Sequence, residues 1–371
     1  MSFEQVLDQY KFNDIKDFIF SRTAADVEFA LGKEKIDEED FAALLSPAAV
    51  NYIEEMAQKA YRITVQRFGK TIKIYAPMYL SNECANSCKY CGFNRHNEIP
   101  RVILTDDQIK LETDIIHNMG IRHILLVTGE SPVKVGTDYL INAVNLMKDK
   151  FSSVCIEVYP MSVEDYSLMY EHGVDGLTMF QETYNREKYA DVHPAGKKRD
   201  FAWRLGGPER GAQAGFRTIG LGALMGLEEF RTDQFFLGLH ANYLMKNFWK
   251  THISISFPRI RKASGNFKAY EIVDDLGYVQ MLLAHRLFQH DLGINVSTRE
   301  SAEFRDRLLR LGVTHMSAGS KTEPGGYAKE HDGKQFQVED TRTVEEFCDM
   351  VRMNGYDPVL KDWDTYFLNG E

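Results

Sequence analysis

From Thr71 onward the chain alternates short apolar runs with amphipathic stretches of helical period, which predicts repeated βα units and a parallel sheet. Eight runs read as strands: Ile72–Tyr79, His123–Val127, Val154–Tyr159, Gly176–Phe180, Thr218–Leu221, His252–Phe257, Ile294–Val296 and Val313–Met316. Asp106–Met119, Thr137–Lys150, Val163–His172, Glu228–Lys246, Ile272–Gln289 and Ser301–Arg310 read as helices between them. Residues 71–324 have the length of a (β/α)8 barrel, roughly 250 residues, and no Gly/Ser linker divides them. A doubly wound open sheet satisfies the same pattern. Upstream, Val50, Ile53, Met56, Ala57, Ala60 and Ile63 form one helical stripe, with Ser46-Pro47 as its start and Gly69 as its stop. The run Asp37–Asp40 places carboxylates in the first turn of another helix. Residues 1–70 are therefore expected to be a helical extension, and 325–371 a tail with one helix over Val344–Met353. That tail is expected to lack a strand ladder and to cover one end of the barrel. The fold class is α/β, a TIM-type barrel.

Composition narrows the setting. A net charge of −10 disfavours a nucleic-acid backbone as partner. No apolar run approaches the roughly 18 residues that span a bilayer, and Met1-Ser2-Phe3-Glu4-Gln5-Val6 has neither a basic nor an apolar leader region. Five cysteines are too few for a disulfide framework and imply a reducing cytosol. Cys155 and Cys348 read as buried thiols. The expectation is a cytoplasmic enzyme with no membrane partner.

Three thiols carry the chemistry. Cys84, Cys88 and Cys91 are spaced Cys-x3-Cys-x2-Cys, with Tyr90 before the last. They can bind three corners of a [4Fe–4S] cube and leave one iron open, where most ferredoxin-type clusters use four cysteines. The alternative is a structural Cys3His zinc site with His96 as fourth ligand, and hence a zinc-stabilised binding protein. The triplet resembles the radical S-adenosylmethionine (radical SAM) enzymes, in which the open iron chelates the methionine portion of SAM.

Polar residues then collect at the strand ends, where barrel active sites lie. The triplet follows the first strand. The second ends in Thr128-Gly129-Glu130, similar to the Gly-Gly-Glu segment with which radical SAM enzymes hold the amino group of SAM, although Thr128 replaces the first glycine. Glu157 interrupts the third strand, which runs on through Tyr159, and faces either solvent or the barrel mouth. Glu182 ends the fourth. Arg204 follows in a helix, where a solvated face is the plain reading, and Arg217 enters strand five. Gly220–Gly226 offers backbone against which an adenine could lie. Arg299 is a bidentate clamp for a substrate carboxylate or, equally, a salt-bridge partner of Glu300 or Glu303. Ser317 and Ser320 are hydroxyl donors. Tyr90, Gly129, Glu130, Glu157, Tyr159, Glu182 and Arg204 are thus the cofactor candidates, and Arg299, Ser317 and Ser320 the substrate candidates.

Together with Phe180–Tyr184, His193-Pro194, Lys197–Gly207, Phe257–Arg261, Ser317–Ser320 and Lys361–Asp364, these segments resemble the 2-iminoacetate synthases, the tyrosine lyases of thiamine (thiazole) biosynthesis. The resemblance implies radical cleavage of the Cα–Cβ bond of L-tyrosine to 2-iminoacetate (dehydroglycine) and p-cresol, with methionine and 5′-deoxyadenosine formed from SAM. It also implies an aromatic role for Tyr90 beside the adenine, a flavodoxin or ferredoxin as reductant, and delivery of the product to thiazole synthase. The tyrosine lyases of [FeFe]-hydrogenase maturation are related but carry further C-terminal cysteines, and here Cys348 stands alone after Ser320. Tryptophan lyases are the other relatives. Biotin synthase, with its second cluster, fits less well.

Overall fold

A computed structural model describes residues 1–265 and 267–364. Its strands are β1 (Thr71–Ser81), β2 (His123–Thr128), β3 (Ser153–Glu157), β4 (Gly176–Glu182), β5 (Thr218–Ala223), β6 (His252–Ser256), β7 (Gly293–Val296), β8 (His315–Ser317) and β9 (Asp357–Val359). β1 to β8 pair in chain order and in parallel, and β1 pairs with both β2 and β8. The sheet is a closed barrel, which removes the open-sheet alternative.

The two-residue period of a strand decides what each face receives. In β1, Ile72, Ile74, Ala76, Met78 and Leu80 are wholly buried among the outer helices, while Lys73, Tyr75 and Tyr79 line the lumen. In β3, Val154 and Ile156 pack outward, and Ser153, Cys155 and Glu157 point inward. The lumen is therefore polar along its length, with one cavity at the C-terminal mouth and another at the opposite end. Tyr75, Leu125, Thr178 and Asn295 border both.

Several elements differ from expectation. The connection from β4 to β5 carries three helices, Arg186–Val192, Phe201–Leu205 and Gly207–Gln213, which are too short for a 3.6-residue period to repeat twice. In the extension, Pro47–Tyr52 winds as a 3₁₀ turn, and the α-helix begins only at Ile53. The Ser46 hydroxyl donates back to the Ala43 carbonyl (2.7 Å) instead of capping it. The extension packs outside the barrel, where Phe41 stacks on Phe288 with centroids 4.3 Å apart. Gln280 also donates to the Leu44 and Ser46 carbonyls.

The tail reaches both ends of the barrel. Its stretch 333–337 crosses the mouth, its helix is Val344–Met353, and β9 pairs with the first residues of β1. It thus adds a strand to the main sheet, and Asp362 beyond it ion-pairs with Lys73 and His123 at the lower end. Residues 365–371 of the expected tail lie outside the described residues. Among the described residues no helix is long and apolar enough to cross a membrane.

Candidate active site

The cysteine loop leaves the end of β1 without regular structure, so side chains satisfy its backbone. The Arg101 guanidinium donates to the carbonyls of Asn82 (2.8 Å) and Phe93 (2.9 Å). Asn94 Nδ2 donates to the Cys88 carbonyl (2.9 Å). Glu130, at the end of β2, braces the loop from outside: its carboxylate accepts from Asn86 Nδ2 (2.7 Å) and its carbonyl from the Ala85 N–H (2.8 Å). Gly129 is glycine because a methyl there would collide with the Glu83 carbonyl. What comes close at Gly129 is the cysteine loop's own backbone, where the sequence suggested a ligand.

All five cysteines are free. Burial pushes the Cys88 thiol up to about 12 and the Cys91 thiol to about 11, with Lys198 pulling the other way. Thiols held protonated by their surroundings become good ligands when a metal displaces the proton. Among the described residues, no three His, Cys, Asp or Glu side chains converge on a single ion. A cube offers each of three thiolates a different iron, as the spacing of Cys84, Cys88 and Cys91 allows. His96 is also engaged, its Nε2 lying 3.2 Å from Ser87 Oγ. The fourth ligand that a zinc site would need is thus already hydrogen-bonded, and the three thiols fit a [4Fe–4S] cluster.

Beside the loop the mouth holds two adjoining cavities. The smaller touches Tyr90, Cys91, Glu182 and Lys198; the larger runs down the lumen past Tyr79, Ser317 and Ser320. Glu157, Phe180, Pro258, Arg299, Gln335 and Phe336 border both.

Glu157 faces the mouth, and burial raises its carboxyl to about 7, although Arg299 and the other cations draw it down. Glu182 is different. Burial pushes its carboxyl up, but Lys198 and Arg204 outweigh that and hold it below the ordinary carboxylate range. Lys198 Nζ lies 2.6 Å from its Oε1, and Arg204 Nη2 lies 3.8 Å away. Glu182 also has φ of +72°, unusual for a side chain of this kind and a local strain. Asp233 helps hold it, accepting from the Tyr184 N–H (2.7 Å) and the Thr183 hydroxyl (3.0 Å) next in sequence. Arg204 is buried, donating from Nε to the Phe180 carbonyl (2.7 Å), so the solvated-face reading of it is corrected.

The Tyr90 hydroxyl donates to His193 Nε2 (2.8 Å), while His193 Nδ1–H donates to the Tyr189 carbonyl (2.8 Å). Burial pushes that imidazole down to about 3, which keeps it neutral and able to accept. Arg299 is neither of the salt bridges considered: Glu300 pairs with Arg259 and Arg261, and Glu303 with Arg307. Instead its guanidinium lies 3.4 Å from the centroid of the Phe336 ring. Ser320 Oγ is buried without a partner among the described residues. Ser317 Oγ accepts from the Thr298 N–H (3.1 Å) and so is partly committed to the scaffold.

Two expectations shift, and Arg217 stands where it was read, at the entry to β5. Tyr159 sits at a bend after β3 has ended, and its hydroxyl donates to the Val135 carbonyl (2.9 Å), away from the mouth. Gly222 leaves its space to the Phe180 ring, and Gly220 leaves its own to Thr178, so neither glycine is vacant for an adenine. Arg217 lies at the lower end, paired with Asp175.

Known proteins resolve what the geometry suggests. Residues 78–234 match the radical SAM superfamily and 256–357 the Biotin and Thiamin Synthesis associated domain. The chain is 44% identical over 360 residues to the 2-iminoacetate synthase of Escherichia coli K12, covering 96% of each chain. This chain belongs to the 2-iminoacetate synthase family. The Salmonella typhimurium LT2 member is 43% identical over the same extent. Among solved structures, HydG, a maturase of the [FeFe]-hydrogenase, superposes with a TM-score of 0.86 at 31% identity, over 99% of this chain and 81% of that one. As a radical SAM enzyme of the 2-iminoacetate synthase family, the chain uses a [4Fe–4S] cluster and SAM. Tyr79, Gln335 and Phe336 join the mouth although no motif in the sequence singled them out, and so does Lys198, which the sequence marked only as part of the Lys197–Gly207 segment.

Proposed function

We propose that this enzyme cleaves the Cα–Cβ bond of L-tyrosine, giving 2-iminoacetate and p-cresol for thiazole formation. The formulas of 2-iminoacetate and p-cresol add up to that of tyrosine; the hydrogen that passes to 5′-deoxyadenosine is replaced in p-cresol by one electron from the reductant and one proton. The observation that carries the reading is the Arg299 guanidinium, free of any carboxylate ion pair among the described residues and set at the border of both cavities beside the thiols.

When bound, the cluster and SAM supply the one-electron chemistry that the side chains lack. Cys84, Cys88 and Cys91 would hold the cluster. Glu157 and Glu182 are suited to the positive groups and ribose hydroxyls of SAM, and Tyr90, fixed by His193, to its purine. Arg204 and Lys198 hold Glu182 ionised, while Gly129 and Glu130 seat the loop. Arg299 and Ser320 receive the tyrosine carboxylate, with Ser317 steadying the floor. The barrel wall excludes water from a product that hydrolyses readily. A flavodoxin or ferredoxin supplies the electrons, thiazole synthase receives the product, and the cytoplasm keeps the five thiols reduced.

The test is anaerobic incubation with dithionite, SAM and tyrosine, followed by mass analysis. p-Cresol and 5′-deoxyadenosine in step support the reading. An indole product from tryptophan, with none from tyrosine, would overturn it.

A further inference from the structure

The tail stretch 333–337 is tied to three separate parts of the mouth. The Gly92 N–H, one residue past Cys91, donates to the Gln335 carbonyl (3.2 Å), and a methyl at Gly92 would collide with that carbonyl. The Tyr79 hydroxyl of β1 donates to Gln335 Oε1 (2.7 Å), although 256 positions separate the two residues. The Gln335 N–H donates to the Thr322 carbonyl (3.0 Å) beyond β8. The next residue, Phe336, lies under Arg299. Burial makes an unpaired guanidinium costly, and a ring face stabilises it while leaving its in-plane N–H groups free to donate.

We propose that Phe336 is a positioning residue for tyrosine recognition: its ring fixes the plane of Arg299 for the substrate carboxylate, and Gln335 anchors that ring to the cysteine loop. One strap therefore sets both the substrate clamp and the loop that carries the thiols. A carboxylate partner for Arg299 would neutralise it and compete with the substrate; an aromatic partner does neither. The inference rests on the reading of Arg299 as the carboxylate clamp.

Three variants test it, each assayed as cluster-loaded enzyme. Phe336→Leu keeps apolar bulk and removes the ring face, Phe336→Tyr restores the face, and Arg299→Lys probes the clamp itself. The measurements are iron content, melting temperature, tyrosine Kd by calorimetry before reduction, and the split between KM and kcat. A cation–π contact gives about 1 kcal/mol when exposed and about 2 when desolvated, so Phe336→Leu should raise tyrosine Kd and KM about 5- to 30-fold. Phe336→Tyr should bind tyrosine as the parent does, with iron content unchanged in both and the melting temperature lowered only in Phe336→Leu, by no more than the lost contact contributes. Parental tyrosine affinity in Phe336→Leu alongside weakened affinity in Arg299→Lys overturns the strap and leaves the clamp standing. Parental affinity in Arg299→Lys overturns the clamp, and the inference with it. Lost iron in Phe336→Leu, or a melting temperature lowered by more than the lost contact contributes, also overturns the positioning role in favour of a structural one.

Discussion

The two ends of this barrel are both polar, hollow and crossed by the same C-terminal tail, yet their charges are arranged in opposite ways. At the lower end, Asp362 takes Lys73 and His123. Asp175 takes Arg217 through two nitrogens (2.6 and 2.9 Å) and also accepts from the Ser153 hydroxyl (2.8 Å). At the mouth, Glu157 has no hydrogen-bond partner among the described residues, Arg299 rests on a ring, and Ser320 Oγ is unbonded. Both ends are hollow, so a cavity alone does not mark the site. Unspent hydrogen-bonding capacity distinguishes a site from a brace, because buried polar groups are otherwise partnered. Local strain agrees with that choice: Glu182, the one non-glycine residue with positive φ among the described residues, is at the mouth.

The largest effect expected at the mouth is that of Cys88→Ala. It should abolish the cluster's absorption and 5′-deoxyadenosine formation together while leaving melting behaviour near parental, since it removes only a small side chain. Normal turnover in that variant would break the comparison outright. At the lower end the reverse is expected. Asp175→Ala strands Arg217 and should cost about 3 kcal/mol of stability in denaturant unfolding. Tyrosine KM in the folded fraction should stay at the parental value. A raised KM there would mean that the lower end takes part in the reaction.

Much of this division was legible in the chain. Cysteine spacing located the loop, and Glu157 stood out as a charge that interrupts an apolar strand, although the period left both solvent and the lumen open to it. The same logic failed two residues later. Tyr159 shares the phase of Glu157, but pairing stops at Glu157, so the period no longer governs where the ring points. Arg217, read as entering strand five, lies just before β5 at the lower end. Phe336 gave no local signal and Lys198 only its place in the Lys197–Gly207 segment, because both reach the mouth through loop closures that no period records. Gly129 was noticed for its freedom, but the chain could not show that Glu83 is what fills the space beside it.

The next effect in size separates the mouth's own members. Arg299→Ala removes charge-assisted hydrogen bonds to the substrate of about 1.5–3 kcal/mol, so tyrosine KM should rise about 10- to 100-fold. Iron content and melting temperature should hold, because no carboxylate ion pair among the described residues depends on Arg299. A fall in stability with unchanged KM would move Arg299 into the class of Arg217.

The smallest effect is a dependence on pH. Burial lifts the Glu157 carboxyl from its ordinary 4.5 to about 7. Between those values the unfolded chain has released the proton that the folded chain still holds, so stability at this site falls as pH rises through the window and stays lost above it. Glu157→Gln carries no such charge. Measured without SAM, its melting temperature relative to the parent should therefore improve from pH 5 to pH 8, by an amount equivalent to ~1 kcal/mol once solvent at the mouth is allowed for. A difference that stays flat with pH would mean that Glu157 has a fixed cationic partner in the free enzyme. The mouth would then be braced like the lower end, and unspent polar capacity would no longer tell the two apart.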